Sequence, residues 1–303
     1  MATTSDKIIV CAYHNVGYRC ITELLRQGAE IALIFSHEDS AGEQIWFESV
    51  RELAGRHGIP CLTSEINAPE NVERVRELAP DFLFSFYYRS MIKPEVLEIP
   101  RKGALNLHGS YLPKYRGRVP VNWAVINGET ETGATLHYMV EKPDAGEIVD
   151  QERVPILFTD TAQDVFHKVT DAAVEVLSRS WPLLREEKAA RVPMDLSAGS
   201  YFGGRKPADG RIDWSRSAVE IYNLVRGVTH PYPGAFAHLD GRKVTVWSAR
   251  PMEGNGEPGC IMSLDPLVVG TGKGLLELRS LQVEGEEELA GNRIELANTA
   301  HFD

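Results

Sequence analysis

Three side chains of this sequence carry groups suited to chemistry on a carbonyl. Asn106 and His108 open a polar run that continues to Gly117, and Asp144 follows downstream in an Asp-Ala-Gly triplet. An imidazole can take up and return a proton near neutral pH, a neighbouring carboxylate holds its orientation, and an amide N–H can donate to a developing oxyanion. Together these groups favour transfer of an acyl unit to an amine, with Asn106, His108 and Asp144 as the catalytic residues. Taken alone, an Asn-x-His pair is more typical of a structural histidine in a core.

The segment in front of this run, residues 103–107, is short and mostly apolar, and Gly and Pro follow it within a few residues. This pattern predicts a buried strand that ends in a loop. Side chains two positions apart point to the same face of a strand, so Asn106 and His108 should face one centre. A strand end of this kind is where open α/β sheets bind ligands.

Apolar strands and helix-like stretches alternate through the first half of the chain. The segments that predict strands are residues 7–13, 30–35, 81–87, 103–108 and 147–157. A long amphipathic helix is predicted from about residue 161 to residue 187. The alternation predicts an α/β fold with a Rossmann-like, doubly wound, mostly parallel sheet. The turn after the first strand lacks the G-x-G-x-x-G pattern of dinucleotide sites, which argues against a nicotinamide enzyme.

The composition of the chain changes after the predicted long helix. Residues 1–190 are predicted to form a catalytic domain, and residues 191–204, with one proline and three glycines, a linker. From residue 205 to residue 303, short strand-like segments alternate with turn residues. This spacing predicts a small OB-like β-barrel domain.

The net charge of the chain is −11, from 32 basic and 43 acidic residues, which argues against a nucleic-acid partner. No apolar stretch approaches the roughly 18 residues of a membrane span and no signal peptide is evident, so we expect a cytoplasmic protein without membrane insertion. The four cysteines are scattered without a CxxC pair, so we expect free thiols and no metal. Four histidines lack ligand-like spacing and are predicted to be structural or surface residues: His14, His37, His57 and His137. The sequence leaves the oligomeric state open, a homo-oligomer included.

Four segments, in order along the chain, resemble the folate-dependent formyltransferases. They are residues 103–117, 143–148, 209–215 and 231–236, and the resemblance extends over nearly the whole chain. It implies 10-formyltetrahydrofolate as the formyl donor. It also implies that Asn106 stabilises the transition state, that His108 transfers protons and that Asp144 tunes His108.

Within the family, residues 84–89, 106–118 and 125–133 resemble the members that formylate UDP-4-amino-4-deoxy-L-arabinose. The resemblance therefore implies a small-molecule partner, a nucleotide-linked amino sugar, as the formyl acceptor. The exact sugar stays open, and so does whether the chain is a stand-alone enzyme or a fragment of a bifunctional protein.

The resemblance also implies which residues contact the folate: Ser90, Met91, Ile92, Arg118, Val140, Glu141, Lys142, Pro143 and Asp144. Tyr87 and Tyr88 follow an apolar strand and could form a wall for the flat pterin ring, with core packing as the alternative.

Basic and polar side chains around the predicted centre are candidates for anion binding. Lys114 and Arg116 lie near His108 in the sequence and could meet the glutamate of the donor or the phosphates of the sugar nucleotide. Solvated loop charges are the alternative. Ser110 is a further candidate for substrate contact, and resemblance to the sugar-modifying enzymes implies diphosphate contact at Arg205.

Several other functions stay open at this point. Methionyl-tRNA formyltransferase shares the donor and the catalytic trio, but its family carries a basic insertion after the second strand. Residues 36–43 here contain three acidic residues and no Lys or Arg. Glycinamide ribonucleotide formyltransferases usually lack a C-terminal barrel. Hydrolysis of the formyl donor and a non-catalytic folate or nucleotide-sugar binding module are the remaining alternatives.

Overall fold

The structure is a computed structural model that describes residues 6–39, 45–293 and 301–303. The described strands are β1 (Lys7–Ala12), β2 (Glu30–Phe35), β3 (Cys61–Leu62), β4 (Phe82–Phe86), β5 (Gly103–His108), β6 (Arg116–Gly117), β7 (Glu131–Tyr138), β8 (Ile148–Pro155), β9 (Tyr201–Phe202), β10 (Ala235–Leu239), β11 (Arg242–Met252), β12 (Ile261–Leu264), β13 (Leu267–Gly270), β14 (Leu275–Val283) and β15 (Glu288–Ala290). The described α-helices are α1 (His14–Arg26), α2 (Val50–Arg56), α3 (Pro69–Leu78), α4 (Pro94–Leu97), α5 (Pro120–Ile126), α6 (Ala162–Arg185) and α7 (Ala218–Val228).

Segments from different parts of the chain combine into two units. The N-terminal unit comprises residues up to Gly117, Thr132–Pro155 and His167–Phe202. The C-terminal unit comprises Arg118–Glu131, Ile156–Phe166 and Gly203–Asp303. This division is more interleaved than the predicted boundaries at residues 190 and 204, which stay a prediction.

The N-terminal unit is built on a seven-stranded sheet of order β3-β2-β1-β4-β5-β7-β8. Strand β1 pairs in parallel with β2 and β4, and β4 pairs in parallel with β5. Strands β5 and β7 are antiparallel. The strand order reverses between β1 and β4, which is the pattern of a doubly wound sheet.

The central strands of this sheet are apolar on both faces, as expected for parallel strands with both faces covered. All five residues of β4 are buried, and Phe82 and Phe84 pack edge-to-face against Trp181 of α6. Leu83 and Ala104, from neighbouring strands, belong to one buried cluster. Strand β5 is therefore held between well-packed neighbours.

The C-terminal unit contains a six-stranded antiparallel sheet in which β10, β11, β14, β13 and β12 follow one another and β15 pairs with β14. Its core gathers apolar residues from these strands and from α7, including Ile221, Val246 and Leu278. The predicted fold class, a Rossmann-like sheet with a smaller C-terminal β domain, is confirmed. None of the helices in the described part of the chain combines the length and the apolar composition that a membrane span requires.

Of the predicted linker, residues 191–202 belong to the N-terminal unit and form backbone hydrogen bonds there. Val192 and Ile148 exchange backbone hydrogen bonds of 2.8 and 2.9 Å. Further along, β9 pairs in parallel with β6. Backbone pairing with the rest of the N-terminal unit therefore extends along this segment as far as Phe202.

Candidate active site

Strand β5 places Asn106 and His108 on one face of the sheet, as their spacing predicts. Both side chains reach the same oxygen of Asp144: Oδ1 lies 3.3 Å from Nδ2 of Asn106 and 3.6 Å from Nδ1 of His108. Asn106 is half-buried and His108 is buried. The structure therefore brings the three predicted catalytic side chains together in the N-terminal unit.

Asp144 reaches β5 because the loop between β7 and β8 turns back on itself. The N–H of Tyr138 donates to the carbonyl of Glu147 at 2.9 Å, which closes the base of the loop. A Cβ atom on Gly146 would lie 1.9 Å from the carbonyl oxygen of Tyr138, so only glycine fits at this approach. Asp144 itself has φ +48°, in the left-handed region.

The carboxylate of Asp144 is nearly enclosed. Burial alone would raise its pKa, but the neighbouring imidazoles of His108 and His137 and the N–H of Gly117 outweigh it and hold the pKa below its usual range. The Gly117 N–H donates to Oδ2 at 2.9 Å. Asp144 is therefore ionised at neutral pH, as a group that orients or faces a cation must be.

The two ring nitrogens of His108 have different surroundings. Nε2 lies 2.8 Å from the carbonyl oxygen of Tyr115, and because a carbonyl only accepts, Nε2 carries the hydrogen. Nδ1 is then the nitrogen that can take up a proton. It faces Asp144 at a distance longer than a hydrogen bond, so a cation formed at Nδ1 would meet a carboxylate.

His137 is a member of this cluster that the sequence analysis missed. It pairs with Asn106 across β5 and β7, and its side chain is 1% exposed. Its Nδ1 donates to the carbonyl of Tyr138 at 2.8 Å, while Nε2 lies 3.3 Å from Asn106 Nδ2 and 3.5 Å from Asp144 Oδ1. The only signal in the sequence was its position in an apolar segment. The register between β5 and β7, which places His137 opposite Asn106, corresponds to no sequence motif.

The amide group of Asn106 is positioned to donate. Its Nδ2 lies 3.3 Å from both Asp144 Oδ1 and His137 Nε2, which are long distances for hydrogen bonds. An oxyanion is a stronger acceptor than a neutral imidazole, so it could replace one of these partners. The cluster thus offers a donor for an oxyanion, a proton-accepting imidazole and a carboxylate that would face the imidazolium.

The residues predicted to contact folate lie in the two loops that follow β4 and β7, apart from Arg118 in the C-terminal unit. Met91 and Val140 are 61% and 47% exposed and are therefore accessible to a ligand. Ile92 instead belongs to the buried cluster that contains Leu83 of β4 and Ala104 of β5. Tyr87 is half-buried with φ +55°, and Ser90 donates to Glu65 at 3.1 Å.

The rest of the second loop is accessible. Glu141 and Lys142 are exposed, and Pro143 is half-buried.

Ser110 and Lys114 differ in their accessibility. Ser110 is fully buried, and its hydroxyl donates to the carbonyls of Lys114 at 2.7 Å and Tyr115 at 3.3 Å. Its hydroxyl therefore shapes the loop. Lys114 is exposed.

Arg116 is a buried cation. It is 8% exposed, and its Nε has no hydrogen-bond partner among the described residues. Burying a cation without a counter-charge is costly, so this environment favours an anionic ligand.

Two of the predicted ligand-binding residues, Arg118 and Arg205, belong to the C-terminal unit. Arg118 is exposed. The Arg205 guanidinium lies 4.6 Å above the ring of Trp123 and donates to the carbonyl of Asp209 at 2.8 Å. Burial lowers the pKa of Arg205, an effect that Asp209 opposes.

The site combines an amide, an imidazole and a carboxylate at the end of a strand in a doubly wound sheet. These groups are suited to acyl transfer. Residues 12–180 match the family described as formyl transferase, and residues 205–295 match the formyl transferase C-terminal domain. The chain belongs to the formyl transferase family.

Solved structures share the fold. An N-formyltransferase from Helicobacter canadensis, in complex with folinic acid and dTDP-3-aminofucose, is 17% identical with a TM-score of 0.71, over 94% of this chain and 100% of that one. WlaRD, a sugar 3N-formyl transferase in the presence of dTDP and 5-N-formyl-THF, is 18% identical with a TM-score of 0.72, over 94% and 100%. HypX from Aquifex aeolicus, in complex with tetrahydrofolic acid, is 19% identical with a TM-score of 0.65, over 96% of this chain and 47% of HypX.

The close approach at Gly146 can be tested by its effect on stability. We expect Gly146→Ala to lower the free energy of unfolding by about 2 kcal/mol, because the added methyl group must displace the Tyr138 carbonyl. Gly55→Ala is the matched control, since a Cβ there meets nothing within 4 Å. Urea unfolding of both variants measures the effect. Equal stability of the two variants would contradict the account of the loop.

Proposed function

We propose that this chain transfers the formyl group of 10-formyltetrahydrofolate to the amine of a nucleotide-linked amino sugar. The observation that carries the proposal is that nitrogens of Asn106 and His108 lie within 3.6 Å of Oδ1 of Asp144. The chain that holds this cluster is a member of the formyl transferase family. Formyl transfer to an amine needs a proton acceptor, a donor for the oxyanion and a group that returns the proton. The cluster contains each of these.

The chemistry assigns one role to each side chain. A bond forms between the amine nitrogen and the formyl carbon, and the bond from that carbon to the donor nitrogen breaks. His108 takes the proton that the amine loses, through Nδ1, and returns it to the leaving nitrogen. Asn106 donates to the oxygen that gains negative charge, and Asp144 faces the cationic imidazole.

The folate assignment is supported by the relatives and by exposed apolar side chains. Three structures of similar fold contain folinic acid, 5-N-formyl-THF or tetrahydrofolic acid. In this chain the exposed Met91 and Val140 are suited to a flat ring. We assign the folate contacts to these two residues, to Tyr87, Ser90, Ile92 and Arg118, and to the loop of Glu141, Lys142, Pro143 and Asp144.

The acceptor assignment is supported by Arg116, whose side chain is buried and whose Nε has no hydrogen-bond partner among the described residues. A nucleoside diphosphate supplies the anion that this environment favours. Two of the structures of similar fold contain dTDP or a dTDP-linked amino sugar. Lys114 and Arg205 are assigned to the same ligand, and Ser110 to the loop that carries Arg116.

The particular sugar is proposed from the resemblance of residues 84–89, 106–118 and 125–133 to the formyltransferase domain of the bifunctional polymyxin-resistance protein. That domain formylates UDP-4-amino-4-deoxy-L-arabinose, so we propose this compound as the acceptor. The reaction would then serve lipid A modification during lipopolysaccharide biosynthesis.

A panel of nucleotide-linked amino sugars, incubated with the chain and 10-formyltetrahydrofolate, tests the function. We expect mass spectrometry to show the gain of one formyl group on UDP-4-amino-4-deoxy-L-arabinose, with tetrahydrofolate released only when an amino sugar is present. Release of formate without an amino sugar would mean hydrolysis instead. Comparable efficiency on initiator methionyl-tRNA would overturn the acceptor assignment.

The catalytic roles predict the behaviour of two variants in that assay. His108→Ala and Asp144→Ala should each lower kcat at least about a hundredfold, the usual effect of losing an acid–base group, while folate still binds. His57→Ala replaces an exposed histidine of the same unit and should leave kcat unchanged. Turnover near that of the unaltered chain in both active-site variants would refute the mechanism.

The proposed role of Arg116 predicts that its loss weakens the binding of the nucleotide sugar and not that of folate. Arg116→Met should raise the KM of the nucleotide sugar about tenfold or more, because a charge-assisted hydrogen bond disappears, and should leave the KM of folate unchanged. Arg74→Met, at an exposed position of α3, is the matched control. A rise in the folate KM alone would assign Arg116 to the donor and contradict the phosphate contact.

A further inference from the structure

We propose that Ser200 is a positioning residue for His108 and Asp144, acting through two consecutive peptide planes of the loop that follows β5. Ser200 lies 85 residues after Tyr115 in the chain, in the segment that the sequence predicts to be a linker. The kinetic part of its test rests on the proposed function, whereas the spectroscopic part does not.

The first plane is the peptide group between Tyr115 and Arg116. Its carbonyl oxygen accepts the Nε2–H of His108 at 2.8 Å, and its N–H donates to the carbonyl of Ser200 at 3.0 Å. A peptide group is planar, so its carbonyl and N–H keep a fixed relative direction. The hydrogen bond to Ser200 therefore sets the direction in which the carbonyl meets His108.

The hydroxyl of Ser200 holds the other side of Tyr115. Its Oγ accepts the N–H of Tyr115 at 2.9 Å. Tyr115 has φ +57°, in the left-handed region that residues with a Cβ rarely adopt. Such a conformation persists only where the surroundings impose it. Ser200 supplies two of the contacts that impose it, one through its side chain and one through its backbone.

The second plane is the peptide group between Arg116 and Gly117. Its N–H donates to Oδ2 of Asp144 at 2.9 Å. Arg116 and Gly117 form β6, whose parallel partner is β9, directly after Ser200. The same short segment thus holds the backbone partners of both the imidazole and the carboxylate.

The contact between the two segments is a close approach of backbones. A Cβ on Gly117 would lie 2.1 Å from the carbonyl oxygen of Phe202, and a Cβ on Gly199 would lie 2.3 Å from that of Pro113. The rings of Tyr115 and Phe202 stack at 5.0 Å with an angle of 11° between their planes. The segment around Ser200 is therefore in close contact with the loop that follows β5. A shift of this segment would shift that loop.

The inference has a chemical consequence for His108. While the Tyr115 carbonyl accepts Nε2–H, the neutral ring keeps its hydrogen on Nε2 and leaves Nδ1 free for the proton of the reaction. If the carbonyl is released, the alternative tautomer, with hydrogen on Nδ1, becomes accessible. That tautomer cannot accept a proton at the nitrogen that faces Asp144.

The kinetic test compares three serine variants of the full chain. Ser200→Ala keeps the backbone carbonyl that accepts the Arg116 N–H but removes the hydroxyl that accepts the Tyr115 N–H. It should lower kcat for formyl transfer about three- to tenfold, the effect of one lost hydrogen bond, with both KM values unchanged. Ser200→Thr keeps a hydroxyl and should recover most of the loss. Ser197→Ala is the matched control, because the Ser197 hydroxyl donates only to Asp195, at 2.6 Å.

The spectroscopic test reads the ring nitrogens of His108 by NMR in the unliganded chain, with the signals assigned by their loss in His108→Gln. We expect hydrogen on Nε2 of the neutral ring in the unaltered chain and in Ser197→Ala, and a measurable fraction on Nδ1 in Ser200→Ala. Unchanged His108 signals in Ser200→Ala would overturn the proposal, whatever happens to kcat. If the signals shift but the unaltered chain formylates no amino sugar, the proposed function fails and the positioning role stands.

Discussion

A buried carboxylate is the constraint on which this site depends. The side chain of Asp144 is 12% exposed, and an ionised carboxylate in such surroundings is stable only where donors or cations surround it. The Gly117 N–H serves one oxygen, and nitrogens of Asn106, His108 and His137 surround the other. The segment after β5, β5 itself and β7 each contribute a group to this shell. The charge of Asp144 therefore holds three separate parts of the chain together. The imidazole of His108 is positioned by the same arrangement.

The topology of the sheet explains how the shell is assembled. An antiparallel β7 beside β5 puts His137 opposite Asn106, and the loop that follows returns toward β5 at a point where only glycine fits. On the far side, β9 supplies a parallel partner for β6. Asn106 and His108 therefore lie on a strand, while Asp144 and the backbone partners of His108 and Asp144 lie in loops held by backbone contacts.

The sequence predicts the parts of the site that depend on spacing along one element. Asn106 and His108 are two residues apart on an apolar strand, and the period of a strand alone places them on one face. His137 could not be found in this way, because its position depends on the register between two strands that periodicity does not fix. The proximity of Asp144 was implied by family resemblance, and only the folded loop shows which of its oxygens serves which partner.

Composition leaves the role of individual glycines in residues 191–204 open. Glycine and proline are typical of linkers, but Gly199 is present where one backbone approaches another, and composition does not distinguish the two uses. For Arg116 the sequence predicts anion binding and leaves a solvated loop charge as the alternative, and the fold shows the side chain to be buried. The alternation of strands and helices, by contrast, predicts the doubly wound sheet well, since each element shows its own period.

The interleaving of the two units constrains how this chain can be divided. The backbone crosses from one unit to the other at residues 117–118, 131–132, 155–156, 166–167 and 202–203. A minimal fragment that stopped at residue 190 would keep the three side chains proposed to be catalytic yet lose strand β9, which pairs with the strand of Arg116. It would also retain Ile126 without the apolar core against which that residue packs. A single cut cannot yield two self-sufficient modules, so any exchange of parts between relatives must transfer several segments at once.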